Sequence, residues 1–193
     1  MTKWLSHRMV ERGIIKEEEQ ELYQFGIRNG MILLLNVVTA LVIGLLTEQL
    51  AVVAVFTLSF MVLRSYTGGY HSDSRVFCYL GSNLVLLVPV YTQAVFYKTS
   101  LAWLLAVLLV SAGIIFLLSP MHSKNRKLDK EEQKHFGRKA RLIAVLELAV
   151  LGILWHAGQI PYAYAVYTGI CITALFMIVG KAQLWIQSHT ENG

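Results

Sequence analysis

The sequence predicts an all-α, polytopic integral membrane protein, on three observations. Apolar residues make up 55% of the 193-residue chain, and the mean hydropathy is +0.54. Charged residues contribute only 15%, against roughly 25% in an ordinary soluble domain. The apolar residues fall in six runs, with Lys and Arg shared very unequally among the connections. Disorder is excluded, because disordered chains are poor in apolar residues and dense in charge. A soluble globule would have too few charges to cover its surface. Two cysteines, Cys78 and Cys171, cannot build a disulfide framework. Residues 1–193 are therefore read as one membrane-embedded domain.

Residues 1–30 come first. They lack an apolar h-region and carry Glu11, Glu17, Glu18, Glu19 and Glu21, so no cleavable signal peptide is evident. Ile14, Ile15, Leu22 and Phe25 fall within about a 100° arc on a helical wheel, with Glu18 in the same arc. Such a segment either lies on the inner membrane surface or forms a solvated leader helix.

The apolar runs follow at Met31–Thr47, Leu50–Leu63, Val76–Tyr97, Leu101–Leu118, Leu142–His156 and Tyr162–Gly180. A hydrocarbon core of ~30 Å needs about 20 helical residues. The third, fourth and sixth runs meet that length, and the first does so by extending into Gly30. The second and fifth are short, and the fifth contains Glu147, so these two are tilted, re-entrant or shielded by neighbours. With six spans, sixteen of the 17 Lys and Arg residues fall on one side, and only Lys98 on the other. The positive-inside rule then puts both termini in the cytoplasm. Tyr91, Phe96, Tyr97 and Trp103 flank one outer turn, and Trp155, Tyr162, Tyr164 and Tyr167 another, as expected at the headgroup level.

The stretch that concentrates chemistry is Arg64-Ser65-Tyr66-Thr67-Gly68-Gly69-Tyr70-His71-Ser72-Asp73-Ser74-Arg75-Val76-Phe77-Cys78, on the basic side between two apolar runs. Polar groups at that depth are expensive and mark function. Gly68-Gly69 permits positive φ or close backbone approach. His71 and Cys78 are separated by seven positions, two helical turns. On one continuous helix they would stand about 10.5 Å apart along the axis, beyond the roughly 2.6–3.2 Å that proton transfer needs. A catalytic dyad therefore requires His71 to fold back from a loop, with the helix starting later. Ser72, Asp73 and Ser74 are all good N-cap residues. If Asp73 or Ser74 caps the helix, Cys78 lies near its first turn, where the helix dipole and Arg75 favour a thiolate. The alternatives are a buried structural Cys78 and an interfacial His71.

This pattern resembles the accessory gene regulator protein B family, the membrane endopeptidases of Gram-positive peptide quorum sensing. Arg64, Gly68, Gly69, His71 and Cys78 carry the resemblance, with the His-to-Cys interval intact. Supporting marks are Glu21-Leu22-Tyr23-Gln24-Phe25-Gly26, and Ser119-Pro120 followed by Asn125-Arg126 and Glu131-Glu132. The resemblance implies a cysteine protease in the bacterial cell membrane with its site facing the cytoplasm. His71 is then general base and Cys78 nucleophile. The enzyme removes the acidic C-terminal tail of an autoinducer precursor peptide and leaves a cyclic thiolactone or lactone. A homodimer is also implied.

Supporting roles follow from chemistry. Candidate oxyanion donors are backbone N–H groups near Cys78, the Arg64 side chain, and Ser74 or Asn83. Asp73 either orients the His71 imidazole or caps the helix. Arg64 either serves the site or snorkels to headgroups as an anchor. The basic loop, residues 119–141, carries eight Lys and Arg. It either keeps its side inside and touches anionic membrane lipids, or docks the acidic tail through Lys124, Arg126, Lys127 and Lys134. Glu147 lines a polar cavity or pairs with a base such as Arg141, and in either case faces protein. Cys171 reads as inert packing. No cofactor, metal or nucleic acid is expected, because a second paired set of ligands and a nucleic-acid fold signature are both missing. The reading from a different class is a non-enzymatic transporter or scaffold for a small peptide.

Overall fold

In hydrocarbon every backbone N–H must find its own carbonyl, so apolar runs of this length form helices. The computed structural model describes residues 2–68, 75–121 and 129–190, and of residues 2, 29, 75–78, 130 and 187–190 the backbone alone. The described residues are almost wholly helical. The α-helices are α1 (Thr2–Glu11), α2 (Gln20–Leu46), α3 (Leu50–Thr67), α4 (Arg75–Tyr91), α5 (Gln93–Lys98), α6 (Leu101–Leu118), α7 (Lys130–His156) and α8 (Ile160–Thr190).

Two units divide the chain, Met1–Thr39 and Ala40–Gly193. In the first, α1 ends at Glu11, and Gly13 turns the chain at φ +66°. A single 3-10 turn, Glu17–Glu19, precedes α2. The apolar arc expected over residues 14–25 is thus not one helical stripe. Ile15 is buried in the bend, while Ile14, Leu22 and Phe25 are exposed.

The second unit is organised around α8. Two-thirds of its apolar stretch (67%) is buried, against 11% for α6, so α8 is the core element and α6 a flank. Small residues on α8, Ala163, Ala165, Gly169 and Ala174, let neighbouring backbones come close. One core cluster joins Leu63, Leu108, Ile115, Ala144, Val166, Ile170 and Met177, from α3, α6, α7 and α8. A second joins Val52, Val53, Phe56, Leu86, Ala165 and Ile172, from α3, α4 and α8. Large apolar side chains elsewhere point outward, with Leu109, Val110 and Leu117 of α6 between 63% and 84% exposed. A bilayer is the solvent that suits such a surface.

Contacts sort the helix ends of this unit into two groups. Ser119, after α6, contacts Met177 of α8; Met121 contacts Thr67 at the end of α3; Arg141 of α7 contacts Phe116 of α6. This is the basic end. At the other, Phe96 of α5 packs on Trp155, Tyr164 and Tyr167. Thr92 shares a hydrogen bond with Tyr164 there.

Several boundaries differ from the sequence reading. The run Val76–Tyr97 is not one helix: α4 contains Pro89, ends at Tyr91, and α5 resumes after Thr92. Proline lacks the N–H that an interior helical position needs. Helix α3 runs past Leu63 to Thr67, so Arg64 is helical. The basic loop is a loop only in part, because α7 begins at Lys130, twelve residues before the apolar run at Leu142. Lys, Glu, Gln and Arg are good helix formers that an apolar-run criterion passes over. Glu131 and Glu132 in the first turn suit its positive end. Four helical stretches, Glu17–Leu46, Leu50–Thr67, Leu101–Leu118 and Ile160–Ile186, are long and apolar enough to cross a membrane, and Tyr79–Tyr91 is a shorter apolar helix.

Candidate active site

The site starts where α3 ends. Gly68 caps α3 with φ +73° and ψ −151°, and its N–H donates to the Arg64 carbonyl. A side chain is excluded here twice over. The backbone lies in the left-handed range, and a Cβ would meet the Met121 carbonyl oxygen at 2.8 Å. Met121 in turn donates its N–H to the Thr67 carbonyl at 2.9 Å. Thr67 is fully buried, and its hydroxyl donates to the Gly68 carbonyl. The end of α3 is therefore clamped against the segment that follows α6.

Arg64 lies one helical turn before Gly68. Its guanidinium sits 4.8 Å from the Phe176 ring centroid and 5.9 Å from that of Phe60. A further contact runs from its Nη1 to the Gly68 carbonyl at 3.4 Å. The Phe176 contact is well inside the ~6 Å reach of a cation–π interaction, and the Phe60 contact is at its limit. Arg64 is half-buried against protein.

Cys78 is the fourth residue of α4. Gly69, His71, Asp73 and Ser74 lie outside the described residues, as do the Cys78 side chain and Lys124, Arg126 and Lys127. Asn83, further along α4, is half-buried, with its side-chain Oδ1 enclosed and without a hydrogen-bond partner among the described residues. The accessory gene regulator B family model matches residues 1–179, a span that includes the whole of the Arg64–Cys78 stretch.

The chain belongs to the accessory gene regulator B family.

Family membership ties it to the membrane and to accessory gene regulator quorum-sensing peptide processing. It is similar to the accessory gene regulator protein B of Staphylococcus intermedius, 26% identical over 156 residues, 79% of this chain and 80% of that protein. An AgrB-like protein of Clostridium perfringens (strain SM101 / Type A) is 23% identical over 148 residues, 74% of this chain and 69% of that one. AgrB-like protein 2 of Clostridium perfringens (strain 13 / Type A) is 24% identical over 131 residues, 65% and 61% of the two chains. No solved structure matches.

Two further features bear on this family's site. A cleft of about 680 Å³ opens at the basic end, lined by α6, the Ser119–Met121 segment, α7 and α8. Of the residues expected to dock an acidic tail, Lys134 lines it. It is joined by Arg138 and Arg141 of the same basic stretch, which the expected docking set does not include, and by Lys181 from the far end of the chain. The spacing of 134, 138 and 141 along one helix face is the available signal, hidden as long as the stretch reads as a loop. Met121 lines the cleft and also clamps α3, so the cleft abuts Gly68.

Deeper in the bundle, Glu147 is 9% exposed and shares a 2.9 Å hydrogen bond with the Ser59 hydroxyl. It does not pair with Arg141, whose Nε donates to the Phe116 carbonyl at 3.3 Å. Gly169 makes this possible: a Cβ there would meet Ser59 Oγ at 2.6 Å. Ser59 and Gly169 carry no sequence signal of their own, because only the packing of α3 on α8 couples them to Glu147. Cys171 is half-buried in α8 and free.

Proposed function

We propose that this chain is a cysteine endopeptidase of the bacterial cell membrane that cuts and cyclises an autoinducer precursor. His71 is the general base and Cys78 the nucleophile. The observation that carries the reading is that Cys78 is the fourth residue of a helix beginning at Arg75. The first turn of a helix has N–H groups without intrahelical partners and the positive end of the dipole. Both favour a thiolate and the oxyanion that forms beside it.

The Cys78 thiolate attacks the scissile carbonyl carbon. The C–N bond breaks, and the acidic tail leaves as an amine that takes its proton from the His71 imidazolium. The acyl group stays on Cys78 as a thioester. The internal thiol of the precursor then gives its proton to His71 and attacks that thioester. A thiolactone forms and the Cys78 thiolate is released. One thioester replaces another at nearly equal energy, whereas water would discard the activation. A site partly closed to water favours the exchange. Arg64, Asn83 and Ser74 supply oxyanion donors, and Asp73 orients His71. Lys124, Arg126, Lys127 and Lys134 attract the acidic tail. The site faces the cytoplasm of a Gram-positive bacterium, and two copies associate as a homodimer.

The test is precursor cleavage in reconstituted vesicles. Cys78→Ala abolishes both linear and cyclic product while the Cys171→Ala chain remains active. Undiminished handling of the peptide by Cys78→Ala would favour the transporter or scaffold reading.

A further inference from the structure

The cleft at the basic end has two chemically different kinds of lining. Lys134, Arg138 and Arg141 stand on one face of α7, and Lys181 faces them from α8. All four are exposed. Among the described residues, Lys134, Arg138 and Lys181 have no acidic partner. The same cleft is lined by apolar side chains as well, Leu117 and Leu118 of α6 and Leu184 of α8, one turn beyond Lys181. Leu117 is 84% exposed, so this apolar lining opens sideways onto the flank of α6, which the bilayer covers.

The floor is built for close approach. Gly137 is buried, and a Cβ there would meet Pro120 Cδ at 3.1 Å, so the missing side chain lets the Ser119–Met121 segment pack onto α7.

We propose that this cleft binds the headgroup of an anionic glycerophospholipid. Its phosphate lies among Arg138, Arg141 and Lys181, with Lys134 left at the rim for the acidic tail, and its acyl chains run along Leu117 and the flank of α6. Arginine matches a phosphate with a bidentate fork, and lysine adds point charge. Charge alone would suit an acidic peptide equally well. The apolar lining decides for a ligand that is an anion at one end and hydrocarbon at the other. Because Met121 joins the cleft to the Thr67–Gly68 clamp, a bound lipid sits one residue from the contact that holds the end of α3.

The full chain is purified in neutral detergent. Binding of phosphatidylglycerol and of phosphatidylcholine with the same acyl chains is measured by native mass spectrometry. The wild-type chain binds phosphatidylglycerol at least tenfold more tightly. Arg138→Gln combined with Lys181→Gln reduces that preference to under threefold, and Arg138→Lys combined with Lys181→Arg retains most of it. The single Arg138→Gln change, on an exposed helix face, gives an intermediate loss and serves if the double variant does not fold. No headgroup preference in the wild type, or an undiminished one in the Gln variants, overturns the proposal. So does displacement of the lipid by an acidic decapeptide, which would assign the cleft to a peptide. Displacement by soluble glycerophosphoglycerol at millimolar concentration overturns it too, because the acyl chains would then contribute nothing. Binding, not cleavage, is the readout, so the outcome is independent of the peptidase reading.

Discussion

Gly68 is where the residue scale is most informative. The sequence marks it as a point of positive φ or close approach, and both hold: φ is +73° and the Met121 carbonyl stands where a Cβ would go. Its partner Met121 was not legible, because the contact joins segments far apart in the chain. Gly68→Ala strains the backbone by about 1–3 kcal/mol and collides with Met121. It is expected to lower precursor turnover at least tenfold, measured in vesicles at matched protein content. Arg64 tests a different property. Its guanidinium lies over Phe176 while reaching the Gly68 carbonyl, and an ammonium cannot match that planar arrangement. Arg64→Lys keeps the charge, yet is expected to reduce kcat at least fivefold with little change in KM. A change in KM alone would return Arg64 to the role of an anchor.

At the element scale, the long apolar helices were legible because hydrocarbon leaves the backbone no alternative. Their ends were less so. Thr92 and Pro89 divide an apolar run that looked continuous, and the charged first turns of α7 are helical through propensity, not burial. Glu147 was read as facing protein, and it does, but its partner is Ser59 on α3, not a base. That bond ties α3 to α7 beside Gly169 of α8. Glu147→Gln retains a group that bonds to the Ser59 hydroxyl and is expected to stay within about 1 kcal/mol of the wild type in detergent unfolding. Glu147→Leu leaves that hydroxyl buried and unpaired, and is expected to lose about 1–3 kcal/mol. Equal losses in the two variants would make the site one of shape alone.

Across the whole molecule, the second unit has a basic end and an aromatic end. The clamp at Thr67–Gly68 and the cleft belong to the first, and the Phe96 cluster to the second. The sequence anticipated this division from its charge alternation, though not which side chains meet. Single cysteines placed at Glu48, Lys98 and Gln159, in a chain lacking its native cysteines, are expected to react with an impermeant maleimide from outside the cell. Those at Asp129 and Lys181 are expected to react only after permeabilisation. Replacing Lys124, Arg126, Lys127 and Lys134 together by Gln is expected to raise KM several-fold and to weaken the salt dependence of cleavage, with that labelling pattern unchanged. The most direct test of the central claim is to trap the acyl-enzyme. The chain is incubated with a precursor whose internal Cys is replaced by Ala, so that exchange is blocked, and its intact mass is measured. The account predicts an adduct equal to the precursor minus its acidic tail, mapped to Cys78 and removed by hydroxylamine. Cleavage of the precursor with no adduct on Cys78, or with an adduct on another residue, would contradict it.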